Sequence, residues 1–138
     1  MVGRCCIRAV TKGQGVIALS SGEAEYYGLT SGMSHALGDQ SMAKDWGVCL
    51  KPRCLMDAST GIAIGSRKGL GKVKHVDTVY LWCQDKVASG SVILAKRHTS
   101  DMVADMMTKQ LDIITVIRHL DAMGYRFEDG RHKLALSI

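Results

Sequence analysis

The chain has 138 residues, the length of one ordinary domain. Hydrophobic residues make up 46% of it, charged residues 22%, and a single proline occurs, so the composition favours a folded globular domain over a disordered segment. No apolar run approaches the roughly 18 residues that a membrane span needs. Residues 1–10 also lack the apolar core and the cleavage site of a signal peptide. We therefore expect an intracellular protein, cytoplasmic or nuclear, without membrane association.

Charge and cysteine content bear on the partners and on the compartment. The formal net charge is +5 at pH 7, which suits a polyanionic partner such as nucleic acid but is also common among domains that bind none. The five cysteines follow neither a zinc-binding spacing nor a disulfide framework. They are interpreted as free thiols in a reducing compartment.

The first predicted elements are an apolar run and the capping pattern that follows it. Residues 14–19 are predicted to form a strand, with residues 7–10 as a candidate pairing partner. A long helix then runs to about Trp46, because Ser20-Ser21-Gly22-Glu23 has the pattern in which a cap hydroxyl and an acid satisfy each other's free backbone donors. Gly47 is typical of a helix end.

Strands and helices continue to alternate along the rest of the chain. The further predicted elements are strands over 54–56 and 91–95 and helices over 59–67, 75–88, 100–109 and 112–123. The residues expected to face inward on the last helix are Ile113, Val116, Ile117 and Leu120, and Trp46 and Trp82 are expected in or beside the core. The pattern predicts an α/β fold with one domain over residues 1–124 and a loose tail over 125–138.

Three acidic residues have positions that suit a metal site. Glu25 lies near the start of the long helix, Asp57 at the carboxyl end of a strand, and Asp105 on the helix after the next strand. Carboxylates brought together repel one another unless a divalent cation lies between them, and Mg²⁺ or Mn²⁺ prefers oxygen ligands. Each acid alone also suits a helix cap, a turn or a solvated helix position. Spacing alone therefore leaves both interpretations open.

Several segments, in order, resemble the ribonuclease H (RNase H) domain of copia-type retrotransposon polyproteins. The segments are Lys12 and Gln14, residues 16–27 (VIALSSGEAEYY), 56–59 (MDAS) and 69–77 (GLGKVKHVD), and then Thr99, Ala104-Asp105 and Thr108-Lys109. Their order and spacing match that family over about residues 7–111. The resemblance implies an RNase H-like fold and hydrolysis of the RNA strand of RNA–DNA hybrids, with Mg²⁺ or Mn²⁺ as cofactor.

The resemblance also implies roles for individual residues. Glu25, Asp57 and Asp105 would be catalytic carboxylates and metal ligands. His98 takes the place of a mobile histidine that aids product release in related enzymes, with an ordinary surface histidine as the alternative. A basic, glycine-rich loop could contact the phosphates of a hybrid or could be a solvated loop. Its candidate residues are Arg67, Lys68, Lys72, Lys74 and His75.

One part of the family's pattern is missing from this sequence. The family's fold begins with antiparallel strands, the first of which carries a fourth carboxylate, yet no Asp or Glu occurs in residues 1–22. We therefore expect an RNase H-like fold that lacks its first one or two strands and is inactive alone, because a two-metal site is incomplete. Open sheet edges would favour a partner chain or an oligomer. The alternatives are a non-catalytic nucleic-acid-binding module and a scaffold remnant.

Overall fold

The structure is a computed structural model that describes residues 1–3, 5–15, 17–69, 71 and 81–126. The chain divides into two compact units, unit 1 with Met1–Thr11 and Val103–Ile138, and unit 2 with Lys12–Met102. Unit 2 contains helices α1 (Ser21–Asp45), α2 (Ser59–Ser66) and α3 (Trp82–Ala88), strands β1 (Arg53–Met56) and β2 (Ile93–Lys96), and a short 3-10 turn, Thr99–Asp101. Unit 1 contains the 3-10 segment Val103–Met107 and helix α4 (Ile113–Ala122). Among the residues that the structure describes, no helix is both long and apolar enough to cross a membrane.

Helix α1 begins where the capping pattern predicts. The Ser20 hydroxyl accepts a hydrogen bond from the Glu23 backbone N–H at 3.2 Å. The Glu23 carboxylate accepts from the Leu19 backbone N–H at 2.9 Å, one residue before the cap, and from the Tyr27 hydroxyl at 2.6 Å. Glu23 is only 1% exposed, so these donors compensate its loss of hydration. The helix ends before Gly47, which adopts a φ of 78°.

Strands β1 and β2 pair in parallel as a two-stranded sheet, from Arg53 opposite Ile93 to Met56 opposite Lys96. The chain between them passes through α2 and α3, which is the long crossover that parallel strands require. The Arg97 backbone N–H extends the pairing by donating to the Met56 carbonyl at 2.8 Å. The mixed α/β class is therefore confirmed, and the carboxyl ends of both strands lie side by side.

The core of unit 2 joins the three helices to this sheet. Its buried residues are Tyr26, Leu29, Met33, Met56, Ile64, Cys83 and Val92. Glycines on α2 allow close packing, because a Cβ on Gly65 would lie 2.9 Å from Cδ1 of Leu94 and 3.0 Å from Cδ2 of Leu29. A Cβ on Gly61 would lie 3.3 Å from the Cβ of Glu25. Helix α2 therefore packs directly against both α1 and β2.

Two predicted elements differ from the structure. The described residues within 7–10 and 14–19 belong to no strand. A strand forms only when a neighbouring strand pairs with its backbone. An apolar run without such a neighbour stays exposed to solvent, and Ile17 is 87% exposed. Residues 100–109 form 3-10 turns instead of an α-helix. His98 and Ser100 bond to one another within the first of these turns, which competes with regular helical bonding.

Other predicted elements agree in part. Helices α1, α2 and α4 and strands β1 and β2 match their predictions to within about two residues. Helix α3 matches the second half of the helix predicted over 75–88, and the first half lies mostly outside the described residues. The prediction of an inward-facing Ile113 and Ile117 is wrong, because both are exposed, whereas the polar His119 is buried. The amphipathic spacing predicted helix α4 correctly, but it did not predict which face of that helix is buried.

The two tryptophans also differ from each other. Trp82 is half-buried and packs against the core of unit 2, as predicted. Trp46 was expected to be buried or partly buried, and it is 74% exposed. It occupies the C-cap of α1, where the chain turns away through Gly47 and the side chain no longer faces a neighbouring element.

Candidate functional site

The carboxyl edge of the sheet carries a group of polar side chains, all within unit 2. Asp57 directly follows β1, and its Oδ2 accepts a hydrogen bond from the hydroxyl of Thr99, which follows β2, at 3.3 Å. Lys96, the last residue of β2, donates from Nζ to Oγ of Ser59, the first residue of α2, at 2.8 Å. These contacts join the end of β2 to the end of β1 and the start of α2. Asp57 thus lies at the edge where ligands bind in open α/β sheets.

Glu25 lies at the same end of unit 2. It is in the first turns of α1, and its Cβ packs beside Gly61 in the first turn of α2. Gly22 makes a second close approach, since a Cβ there would lie 3.1 Å from the Cβ of Thr60. Because Asp57 precedes the first turn of α2 and Glu25 flanks it, the structure brings two of the three predicted carboxylates to one helix end.

Asp105 lies in unit 1, within the segment Val103–Met107. Its Oδ2 accepts from Nζ of Lys109 at 2.8 Å, and its backbone carbonyl accepts from the N–H groups of Thr108 and Lys109. This ion pair closes the turn that follows the 3-10 segment. Asp105 therefore has a local structural role, and its role as a metal ligand stays a prediction.

The donor atoms of Glu25 and Asp57 suit a hard divalent cation. Mg²⁺ usually keeps several waters and is bound through one or two carboxylates. Glu25 is exposed and forms no side-chain hydrogen bond or ion pair with other described residues. In the described part of the chain, no group of three His, Cys, Asp or Glu side chains is arranged to hold a metal. Carboxylate oxygens are ligands of the kind that a hydrated Mg²⁺ or Mn²⁺ ion prefers, and the roles of Glu25 and Asp57 as metal ligands stay predictions.

His98 is exposed and precedes the Thr99–Asp101 turn. Its Nδ1 accepts from the Ser100 backbone N–H at 3.3 Å and lies 2.9 Å from the Ser100 hydroxyl. The His98 ring thus caps the turn Thr99–Asp101, and the Thr99 hydroxyl of this turn donates to Asp57. A part in product release stays a prediction.

The structure describes four residues of the basic loop, and these four make up the basic loop from here on: Arg67, Lys68, Gly69 and Gly71. Lys72, Lys74 and His75 lie outside the described residues, so their proposed phosphate contacts stay predictions. Lys68 is exposed and accessible to a phosphate, whereas Arg67 is half-buried. A Cβ on Gly71 would lie 2.6 Å from Nη1 of Arg67, so the guanidinium packs on the loop's own backbone.

Burial of Tyr26 has an electrostatic consequence beside this loop. Burial raises the pKa of the Tyr26 phenol to about 12, Cys83 adds to the rise, and Arg67 opposes it. The charge of Arg67 therefore acts partly on the interior of unit 2. Lys68 is the clearer phosphate-binding candidate of the two described cations.

Gln84 is a polar residue of this region that sequence reasoning missed. It lies on α3 at 5% exposure, and its side-chain amide bonds to the backbone of Ile64 and Gly69. The available signal was its position beside the apolar side of the predicted helix, next to Cys83. A polar side chain there must find partners when it is buried.

Comparisons of the chain with family models, with curated proteins and with solved structures found no match. The functional interpretation therefore depends on the ordered sequence motifs and on the geometry around Glu25, Asp57 and the basic loop.

Proposed function

We propose that the chain is an RNase H-like domain of retrotransposon origin, a metal-dependent ribonuclease by ancestry that acts on the RNA strand of RNA–DNA hybrids. The observation that carries the proposal is the position of Asp57 at the carboxyl edge of a parallel strand pair, with Glu25 at the same end of α2. Residues from two motifs that are far apart in the sequence, 16–27 and 56–59, thus lie at the same end of α2, which supports the proposal.

In this proposal Glu25 and Asp57 hold one hydrated divalent cation. A bound ion would supply an activated water and would stabilise charge on a phosphoryl oxygen. Thr99 orients Asp57 through the hydrogen bond to Oδ2, and Lys96 fixes Ser59 at the start of α2. These contacts restrict the carboxylate of Asp57 before a substrate arrives, which lowers the cost of forming the site.

We further propose that the chain alone does not cleave hybrids. A two-metal mechanism clamps both the attacking and the leaving oxygen of the phosphodiester. Among the described residues of unit 2, the predicted carboxylates are Glu25 and Asp57, which suit a single ion. Loss of one side of the clamp removes much of the stabilisation that the transition state needs.

Metal binding and cleavage can be tested separately on the 138-residue chain. Calorimetric titration with Mn²⁺ should show binding that is lost in Glu25→Gln and in Asp57→Asn. The control Asp85→Asn removes an exposed carboxylate from α3 and should bind Mn²⁺ like the unaltered chain. Equal Mn²⁺ binding in all four proteins would refute the metal site.

Cleavage is measured by incubating each protein with a labelled RNA–DNA hybrid in Mn²⁺. We expect no products above those of Asp57→Asn. Products formed by the unaltered chain but not by Asp57→Asn would contradict the proposed inactivity and would support an active nuclease.

A second candidate function is non-catalytic binding of nucleic acid, favoured by the exposed Lys68 on a loop that the buried Gln84 holds through Gly69. Such binding should weaken steeply as salt rises, because each phosphate contact releases counterions. Hybrid affinity that is independent of Mn²⁺ and unaltered in Asp57→Asn would favour this function over the nuclease.

A further inference from the structure

Gln84 connects the interior of unit 2 to the basic loop. Its Nε2 donates to the carbonyl of Ile64 at 2.9 Å and to the carbonyl of Gly69 at 3.1 Å. Its Oε1 accepts from the backbone N–H of Gly69 at 2.8 Å. One side chain thus satisfies both polar backbone groups of Gly69 and ties that residue to the last turn of α2.

The loop that Gln84 holds would otherwise be free to change conformation. Gly69 and Gly71 have φ values of 79° and 57°, in the left-handed region that glycine adopts readily along with many other conformations. Contacts from outside the loop must therefore select this one. The amide of the buried Gln84 supplies three hydrogen bonds, of which the one to Ile64 is buried and the two to Gly69 are part-buried, so access of competing water is reduced.

We propose that Gln84 is a positioning residue that preorganises the basic loop for a phosphate backbone. This inference deepens the nucleic-acid binding proposed above and rests on it. Gln84 is buried on α3 and acts through Gly69, whereas the adjacent Lys68 is exposed and makes the contact. An ordered loop binds more tightly, because the entropy of fixing its backbone has already been lost on folding.

Positioning and direct contact have different salt signatures. Removal of Lys68 deletes a phosphate contact, so the slope of log affinity against log salt should become shallower by about one. Removal of the Gln84 amide leaves every cation in place, so the affinity should fall at each salt concentration while the slope stays the same. The expected loss is about tenfold, the order of fixing one residue's backbone.

The experiment measures the affinity of the full chain for an RNA–DNA hybrid over a range of KCl concentrations. Three variants are compared with the unaltered chain: Gln84→Met, Gln84→Glu and Lys68→Ala. Gln84→Met keeps the side-chain length but has no atoms that form these hydrogen bonds. Gln84→Glu can accept from the Gly69 N–H but cannot donate to the carbonyls of Ile64 and Gly69. Gln40→Met is the matched control, because the Gln40 Nε2 donates to the Leu50 carbonyl at 2.7 Å elsewhere in unit 2. We expect weaker binding at an unchanged slope for both Gln84 variants, and unaltered binding for Gln40→Met.

Amide hydrogen exchange at Gly69 provides a second readout that needs no ligand. The Gly69 amide should exchange slowly in the unaltered chain and fast in Gln84→Met, which removes the oxygen that accepts from it. Fast exchange in the unaltered chain would overturn the inference even if a variant fails to fold. Equal hybrid affinity in Gln84→Met and Gln40→Met, or a shallower salt slope in Gln84→Met, would also overturn it. A third outcome is that the unaltered chain binds no hybrid although its Gly69 amide is protected from exchange. That outcome would refute the proposed nucleic-acid binding, but it would still support an ordered loop.

Discussion

Substitution of Gly65 by alanine tests the close packing of α2 against α1 and β2. In the structure a Cβ at this position would lie 2.9 Å from Cδ1 of Leu94 and 3.0 Å from Cδ2 of Leu29. Carbon atoms in favourable contact are about 3.5–4.0 Å apart. Both leucine side chains would therefore have to move, and Leu29 is buried in the core.

Two opposing effects determine the stability of Gly65→Ala. Alanine in a helix interior is favoured over glycine by about 1 kcal/mol. Overpacking of a filled core costs about 1–3 kcal/mol. The net result is a loss of up to about 2 kcal/mol in the free energy of unfolding, with near-neutrality at the mild end.

Gly38→Ala is the matched control for helix propensity. Gly38 lies in the interior of α1, and a Cβ there would meet nothing within 4 Å. This variant should therefore gain about 1 kcal/mol. The difference between the two variants, about 1–3 kcal/mol, isolates the packing effect, because the propensity gain is common to both.

Urea unfolding followed by circular dichroism measures both variants on the same scale. Gly65→Ala should have a lower midpoint than Gly38→Ala at a similar m value. Equal stabilisation of both variants would show that α2 is not packed as closely as these distances require. The placement of Glu25 beside Gly61 would then lose its support.

The remaining predictions concern titration and thiol reactivity. Burial raises the pKa of Tyr26 from 10.0 to about 12, so its neutral form contributes stability that is fully present below pH 10 and is lost as the pH rises towards 12. Urea unfolding at stepped pH should show this decline, and Tyr26→Phe should flatten it; identical pH dependence in the two proteins would contradict the burial of Tyr26. Burial also raises the pKa of the Cys83 and Cys54 thiols, so both should be alkylated more slowly than the exposed Cys5 and Cys49. Mass spectrometry of the labelled chain measures this order, and uniform labelling of all four would be inconsistent with the core.

Local chemistry explains which elements were predictable from the sequence. The start of α1 depends on Ser20 and Glu23, three residues apart, and the start of α4 depends on Asp112, which accepts from the backbone N–H and the hydroxyl of Thr115. These hydrogen bonds to Thr115 also hold the pKa of Asp112 below its usual value. Such contacts involve neighbours in the sequence, so the sequence alone defines them.

Long-range pairing explains what was not predictable. Residues 14–19 have the composition of a strand, but a strand also needs a neighbour, which no local pattern specifies. Asp57 could be placed at a strand end because β1 is a short apolar run followed by polar residues. The partners of Gln84 are 15 and 20 residues away, so its function as a clamp on the loop appears only in three dimensions.

Helix α2 links the two halves of the proposed nucleic-acid-binding surface. Its first turn packs against Glu25 and follows Asp57, and its last turn supplies the Ile64 carbonyl to Gln84, which holds the basic loop.

At about 1.5 Å per residue, a helix of eight residues is about 12 Å long. Phosphates along one strand of a duplex are spaced at about 3.4 Å of axial rise, so this length corresponds to about three to four nucleotides. For a hybrid that lies along α2, Lys68 would contact a phosphate about three to four nucleotides from the one beside Asp57. A substrate shortened on the Lys68 side by more than that distance should lose the Lys68 contribution to the salt dependence and keep the Mn²⁺ dependence at Asp57. Simultaneous loss of both would refute a division of the surface by α2.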